Sequence, residues 1–203
     1  LPFLPPEFEV EAELISMNLE DFLEYDDKNS GYRSSGSGAV RFSLTFKDDP
    51  ETEDYYGVRL FKHNPANGIS MSGFLLKSDN FLSVYETERL YLFTLYDVFS
   101  RSVSGLYSDR CMTCFSDVEF NGQEVTKEYM MQHIPKYYDH YNIQLFRLSE
   151  EMYRAAESVW FLHMNDLAYF GQATLFPYTN VAGGTGCLGA ATMRETGFFK
   201  VGE

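Results

Sequence analysis

Apolar and polar residues alternate with period two in Phe8-Glu9-Val10-Glu11-Ala12-Glu13-Leu14-Ile15 and again in Val40-Arg41-Phe42-Ser43-Leu44-Thr45-Phe46. Successive side chains of a strand point to opposite faces, so this pattern gives each segment one apolar face and one wet face. Both segments are therefore expected to be antiparallel strands covered on one side. Between them, residues 26–38 are polar and rich in turn formers, as a surface loop requires. Asp and Pro residues within 47–54 give the next hairpin signal, followed by a strand at Tyr55-Tyr56-Gly57-Val58-Arg59-Leu60-Phe61. An aromatic, strand-like run follows at residues 90–96, and Asn121-Gly122 carries the dipeptide that favours a type I′ hairpin turn. Residues 141–148 alternate again.

Ser149 is a plausible N-cap, with Glu150 and Glu151 in the first turn where the helix dipole favours negative charge. Met152, Ala156, Val159, His163, Leu167 and Phe170 then fall on one face, which predicts a helix over about 149–167. His163 on that stripe reads most simply as a core-edge histidine. No internal repeat or second composition block divides the chain. The expected fold is mainly β, an antiparallel sandwich or barrel-like sheet with one packed α-helix. Residues 1–6, Leu-Pro-Phe-Leu-Pro-Pro, are read as the stiff tail of a linker from a missing N-terminal domain, because each Pro ring fixes φ and restrains its predecessor. Residues 7–203 then form a single β-rich domain.

Composition narrows the function. With 44% hydrophobic residues the 203-residue chain can bury a core, and no apolar stretch approaches the ~20 residues of a membrane helix. A formal charge of −14 argues against nucleic acid and anionic lipid, both of which need a positive field. Aromatic residues make up 17% of the chain. Those in alternating strands, such as Tyr55, Tyr56, Tyr91, Phe93 and Tyr96, are expected in the core. Loop tyrosines Tyr137, Tyr138 and Tyr178 are expected at an interface, since Tyr offers a large contact area with a polar tip.

Motifs that could carry chemistry are incomplete. Cys111-Met112-Thr113-Cys114 is a lone C-x-x-C without the further ligands of a zinc site, and three cysteines cannot all pair within one chain. Plain small or buried cysteines are the leading reading, with a local disulfide or a metal ligand as alternatives. Gly183-Gly184-Thr185-Gly186-Cys187-Leu188-Gly189 lacks the Lys-Ser/Thr of a phosphate loop and is better explained as a glycine-dependent turn entering a strand that passes close to another backbone. The acidic clusters at 20–21, 26–27 and 48–54 read as solvated loops, with calcium as a minority reading, because the EF-hand register fails. No G-x-S-x-G occurs, and no spacing singles out a carboxylate pair. No catalytic residue, cofactor-binding residue or metal ligand is assigned, and no cofactor is expected.

Several segments, in this order, resemble a Bacteroidota lipoprotein family catalogued as domain of unknown function 4249. They are residues 42–50 (Phe-Ser-Leu-Thr-Phe-Lys-Asp-Asp-Pro), 54–60 (Asp-Tyr-Tyr-Gly-Val-Arg-Leu), 115–122 (Phe-Ser-Asp-Val-Glu-Phe-Asn-Gly), 148–153 (Leu-Ser-Glu-Glu-Met-Tyr) and 180–186 (Asn-Val-Ala-Gly-Gly-Thr-Gly). The similarity spans most of residues 5–200. Cys187 and Leu188 depart from the larger apolar or aromatic residues usual after the glycine turn, a change expected to touch packing. The resemblance implies an exported protein anchored by lipid on a preceding segment, with genes often beside outer-membrane TonB-dependent transporters. It carries no established activity. The expected function is thus a non-catalytic, cell-surface accessory lipoprotein of the outer membrane that partners a β-barrel transporter, for docking or ligand capture. The alternatives are a surface glycan- or peptide-hydrolase and a purely structural adhesion or assembly module.

Overall fold

The computed structural model describes residues 3–15, 38–64, 69–72, 112–133, 139–164, 178–184 and 186–201. Its strands are β1 (Phe8–Ile15), β2 (Gly38–Lys47), β3 (Tyr55–Asn64), β4 (Ile69–Ser72), β5 (Thr113–Ser116), β6 (Glu124–His133), β7 (His140–Leu148), β8 (Ala191–Glu195) and β9 (Phe199–Lys200). Among the described residues one helix, α1 (Glu150–Met164), lies between β7 and β8. The mainly β, antiparallel expectation holds. The strands read from the sequence at 8–15, 40–46, 55–61 and 141–148 fall within β1, β2, β3 and β7.

The strands form two sheets. The first has the order β1-β2-β6, with Phe8 opposite Phe46 and Val40 opposite Met131. In the second, β3 and β7 pair along their lengths; β5 and β4 share the outer edge of β3, while β8 and β9 share that of β7. Period-two alternation turns Val40, Phe42, Leu44 and Phe46 of β2 inward against Tyr56, Val58 and Leu60 of β3 and Tyr141, Ile143 and Leu145 of β7, giving a sandwich core. Rings interlock across the two sheets, Phe42 on Tyr141 at 5.3 Å and Phe46 on Tyr56 at 5.0 Å between centroids. Tyr56 and Tyr141 are therefore core residues, as the strand phase requires.

The helix covers the outer face of the second sheet near β5. Ser149 caps it: its hydroxyl accepts the N–H of Met152 and its carbonyl that of Tyr153. Met152 and Ala156, one turn apart, pack with Met112, Cys114 and Leu148, and Tyr153 stacks on Tyr55 at 4.7 Å. Expectations placed on Val159, His163, Leu167 and Phe170 lie outside the described side chains. So do the strand-like run at 90–96, with its aromatics Tyr91, Phe93 and Tyr96, the acidic pairs at 20–21 and 26–27, and Cys111. Cys114 is a buried free thiol whose ionisation is suppressed by burial.

Two turn readings need correction. Residues 47–54 were expected to close a hairpin, and Asn121-Gly122 to form a type I′ hairpin turn. Instead β2 and β3 lie in different sheets, as do β5 and β6. Both turns are crossovers from one sheet to the other. Local turn chemistry was legible, but strand partnership is set by which apolar faces meet, and that is non-local. Among the described residues no helix is long and apolar enough to cross a membrane.

Candidate functional site

The two crossovers meet at one end of the sandwich. In the first, the Asp49 carboxylate accepts the N–H of Glu51 at 3.0 Å, an Asx turn that folds the chain back. In the second, the N–H groups of Phe120 and Gln123 bond to the carbonyls three residues earlier. They are stitched together by Asp48 N–H to the Gln123 carbonyl at 3.0 Å and by a reciprocal pair: Asp117 N–H to the Asp54 carbonyl at 3.1 Å, and Asp54 N–H to Asp117 Oδ2 at 2.8 Å. Gly122 sits where the turns touch. Its φ is +71°, and a Cβ there would stand 2.7 Å from that of Pro50. Only glycine fits both demands.

This stacking buries three acids, two of which, Asp48 and Asp54, belong to the 48–54 run that was expected to be a solvated loop. Asp48, Asp54 and Asp117 are all buried, and one carboxylate oxygen from each lies within 4.8 Å of the other two. Asp49, Glu51 and Glu53 are exposed, as a solvated loop requires. Arg147 points in from β7, in phase with Tyr141, Ile143 and Leu145. It donates to Asp54 through Nε at 2.8 Å and through Nη2, and to the Thr52 hydroxyl at 2.8 Å. The Tyr56 hydroxyl donates to Asp48 Oδ1 at 2.5 Å, with Asp54 Oδ2 at 3.3 Å, and Gly122 N–H donates to Asp48 Oδ2 at 2.8 Å.

Burial pushes the Tyr56 phenol well above its ordinary range, and its hydrogen bond to Asp48 and the charges of Asp54 and Asp48 push the same way, so it stays a donor. Burial also raises the Asp117 carboxyl, the Asp54 N–H opposes that rise, and the neighbouring charges of Asp48 and Asp54 add to it. Asp117 Oδ1 accepts no hydrogen bond although the residue is only 1% exposed. Tyr56→Phe removes a buried donor from Asp48 while keeping the ring, and is expected to cost about 1–3 kcal/mol by urea denaturation. A change under about 0.5 kcal/mol would place Asp48 in contact with water.

Asp54 and Arg147 also form the floor of a cleft of about 600 Å³, walled by Tyr55, Leu148 and the start of α1 and closed by Gly189 and Ala190. Gly189 is a close approach: a Cβ there would come within 2.7 Å of Met152 Cβ and 3.0 Å of its Cα. This matches the sequence reading of the glycine-rich segment, which enters β8 beside the helix backbone. The lips are Phe3, 75% exposed, and Leu188, 80% exposed. Both are held by their backbones. The Thr192 hydroxyl donates to the Phe3 carbonyl and Arg194 Nε to the Pro5 carbonyl at 2.7 Å. The Asn180 side chain bonds both the N–H and the carbonyl of Leu188 at 2.8 Å. The Phe3 ring lies 5.9 Å from the Arg147 guanidinium carbon.

Of the loop tyrosines expected at an interface, Tyr137 and Tyr138 lie outside the described residues. Tyr178 is half-buried, donates its N–H to the Ser158 hydroxyl of α1 at 2.8 Å, and does not line the cleft. Cys187 and Leu188 were expected to touch packing. Both are exposed, the Cys187 thiol donating to the Glu151 carbonyl at 3.2 Å and the Leu188 backbone being bonded to the Asn180 side chain. The acid cluster and Arg147 were not singled out from the sequence. The available signal was Arg147 itself, a charge on the apolar phase of a strand, which demands a buried counter-charge.

Among the described residues, the fold and site define a two-sheet antiparallel sandwich with one helix, pinned at one end by a buried acid–arginine cluster beneath an apolar-lipped cleft. The chain belongs to the family described as Domain of unknown function (DUF4249), whose model matches residues 6–196. No curated protein and no solved structure matches it.

Proposed function

We propose that this chain is a non-catalytic binding module of an exported outer-membrane lipoprotein, anchored by lipid on a preceding segment, that docks on or captures ligand for a TonB-dependent β-barrel transporter. The observation that carries the reading is the pair of cleft lips. Phe3 and Leu188 present large apolar side chains to solvent on backbones fixed by hydrogen bonds. Rigid exposed apolar groups rimmed by polar ones characterise surfaces that a partner covers.

The cleft's acids favour binding over hydrolysis. Glu53 accepts from the Tyr55 hydroxyl at 2.7 Å, Asp54 from Arg147, and Glu150 pairs with Arg154. Glu151 is held below the usual carboxylate range by its own backbone N–H and the Ser149 hydroxyl. Each is committed to a donor, whereas hydrolysis of a glycan needs one carboxyl kept protonated beside a second that is free to attack or activate water.

The test is affinity purification of the tagged full-length protein from its native outer membrane. A transporter-sized β-barrel protein should co-purify near one-to-one and be lost in the Phe3→Glu, Leu188→Glu double variant. Stoichiometric recovery without any β-barrel protein, or turnover of a surface glycan that survives the double variant, overturns the proposal.

A further inference from the structure

We propose that Asp48, Asp54 and Asp117 hold a hard divalent cation, calcium by preference, at the junction of the two crossovers. Charge comes first. Three carboxylates face the single positive charge of Arg147, and all four side chains are buried, Arg147 the least so at 8% exposed. Like charges so placed repel strongly where water cannot screen them. A doubly charged ion brings the quartet to neutrality.

Unused acceptor capacity comes second. A carboxylate offers about four lone-pair sites. Asp54 accepts from Arg147, Thr52 and Tyr56 and is the most committed; Asp48 accepts from Tyr56 and Gly122. Asp117 accepts the Asp54 N–H on Oδ2, and its Oδ1 is buried without a hydrogen-bond partner. An oxygen in that position lacks a donor, and a cation supplies its missing partner.

Geometry comes third. Oxygens bound to one calcium at about 2.3–2.6 Å lie at most about 5 Å apart, so three oxygens within 4.8 Å fit one shell without movement of the backbone. The donor set is oxygen only, which excludes a soft metal. Calcium is preferred to magnesium because buried ligands leave little space for the water shell that magnesium retains. Asp48 and Asp117 are the principal ligands. The ion would tie the first crossover to the second, reinforcing the backbone bonds already there.

The probe is calcium chloride titrated into the EDTA-treated full chain, with magnesium chloride in parallel, followed by calorimetry and thermal unfolding. One saturable calcium site per chain is expected, with a dissociation constant of order 10⁻³ M or tighter and a rise in melting temperature of several degrees at saturation. Asp117→Asn should fold at least as well as the parent in EDTA, since the amide removes a charge and can donate to a neighbouring carboxylate. It should lose calcium affinity by about ten-fold or more. Asp48→Asn should behave likewise, which keeps the test decisive if one variant fails to fold, and exposed Asp49→Asn should bind as the parent does. No calcium heat and identical melting in EDTA and calcium would overturn the site. Equal response to magnesium overturns the preference for calcium, and calcium binding unchanged in both Asp117→Asn and Asp48→Asn places the ion elsewhere.

Discussion

Arg147→Ala is expected to lower the stability of the domain by about 3–5 kcal/mol, seen as a large fall in the urea midpoint with little change in slope. Arg147 is 8% exposed and its guanidinium supplies donors to both Asp54 and Thr52, so its removal does more than delete one ion pair. It leaves Asp48, Asp54 and Asp117 facing one another without a hydrogen-bonded counter-charge from β7, in a place where water cannot compensate. Arg147→Met separates the two contributions, because it restores much of the buried volume and none of the charge. The methionine variant should recover only a minor part of the loss. Arg147→Lys should also be damaged, since a single ammonium cannot reproduce the fork that reaches Asp54 through two nitrogens. Pairing Arg147→Ala with Asp54→Asn should cost less than the sum of the two single changes, because each removes the other's stranded partner. A loss below about 1 kcal/mol for Arg147→Ala would mean that the cluster is solvated and that the crossovers are held by backbone bonds alone.

That cluster also shows where sequence reading stops. The strands β1, β2 and β7 were legible because period-two alternation is local, β3 because it follows a local turn signal, and the start of α1 because Ser149 and the two glutamates after it are a local capping signal. The crossovers were misread for the same reason. Residues 48–54 and 117–123 carry good turn chemistry, yet whether a turn joins paired strands depends on partners far away: β2 pairs with β6, and β3 with β7. Once both turns lie at the same end of the sandwich, Asp48, Asp54 and Asp117 are stacked against each other and buried, although aspartate in a turn ordinarily faces water. Only Arg147 announced this in advance, by standing in register with Tyr141, Ile143 and Leu145. The cleft was less legible still. Its lips come from opposite ends of the chain, and the backbone of exposed Leu188 is bonded on both sides by the side chain of Asn180, a pairing eight residues apart that no local pattern announces.

Phe46→Ala is expected to cost a further 3–5 kcal/mol or so in its own right, and to reach the site through the core. Phe46 is 2% exposed at the end of β2, with Tyr56 at 5.0 Å and Phe120 edge-on at 6.1 Å between ring centroids. It stands immediately before Lys47 and the crossover, so its ring joins the apolar core to the polar junction. Truncation removes the wall against which Tyr56 rests, and the Tyr56 hydroxyl is what positions Asp48. The loss should therefore exceed simple transfer of the ring to water, because the surrounding aromatic side chains cannot collapse into the cavity without pulling Tyr56 off its carboxylate. Phe46→Leu, closer in volume, should cost less than about half as much. A double-mutant cycle with Tyr56→Phe isolates the connection: if the ring positions the hydroxyl, the two losses couple by about 0.5–3 kcal/mol, with the second change cheaper in the truncated background. Strict additivity would mean that Asp48 is placed by Gly122 and the Gln123 carbonyl without help from the core, and that sandwich and junction are energetically separate.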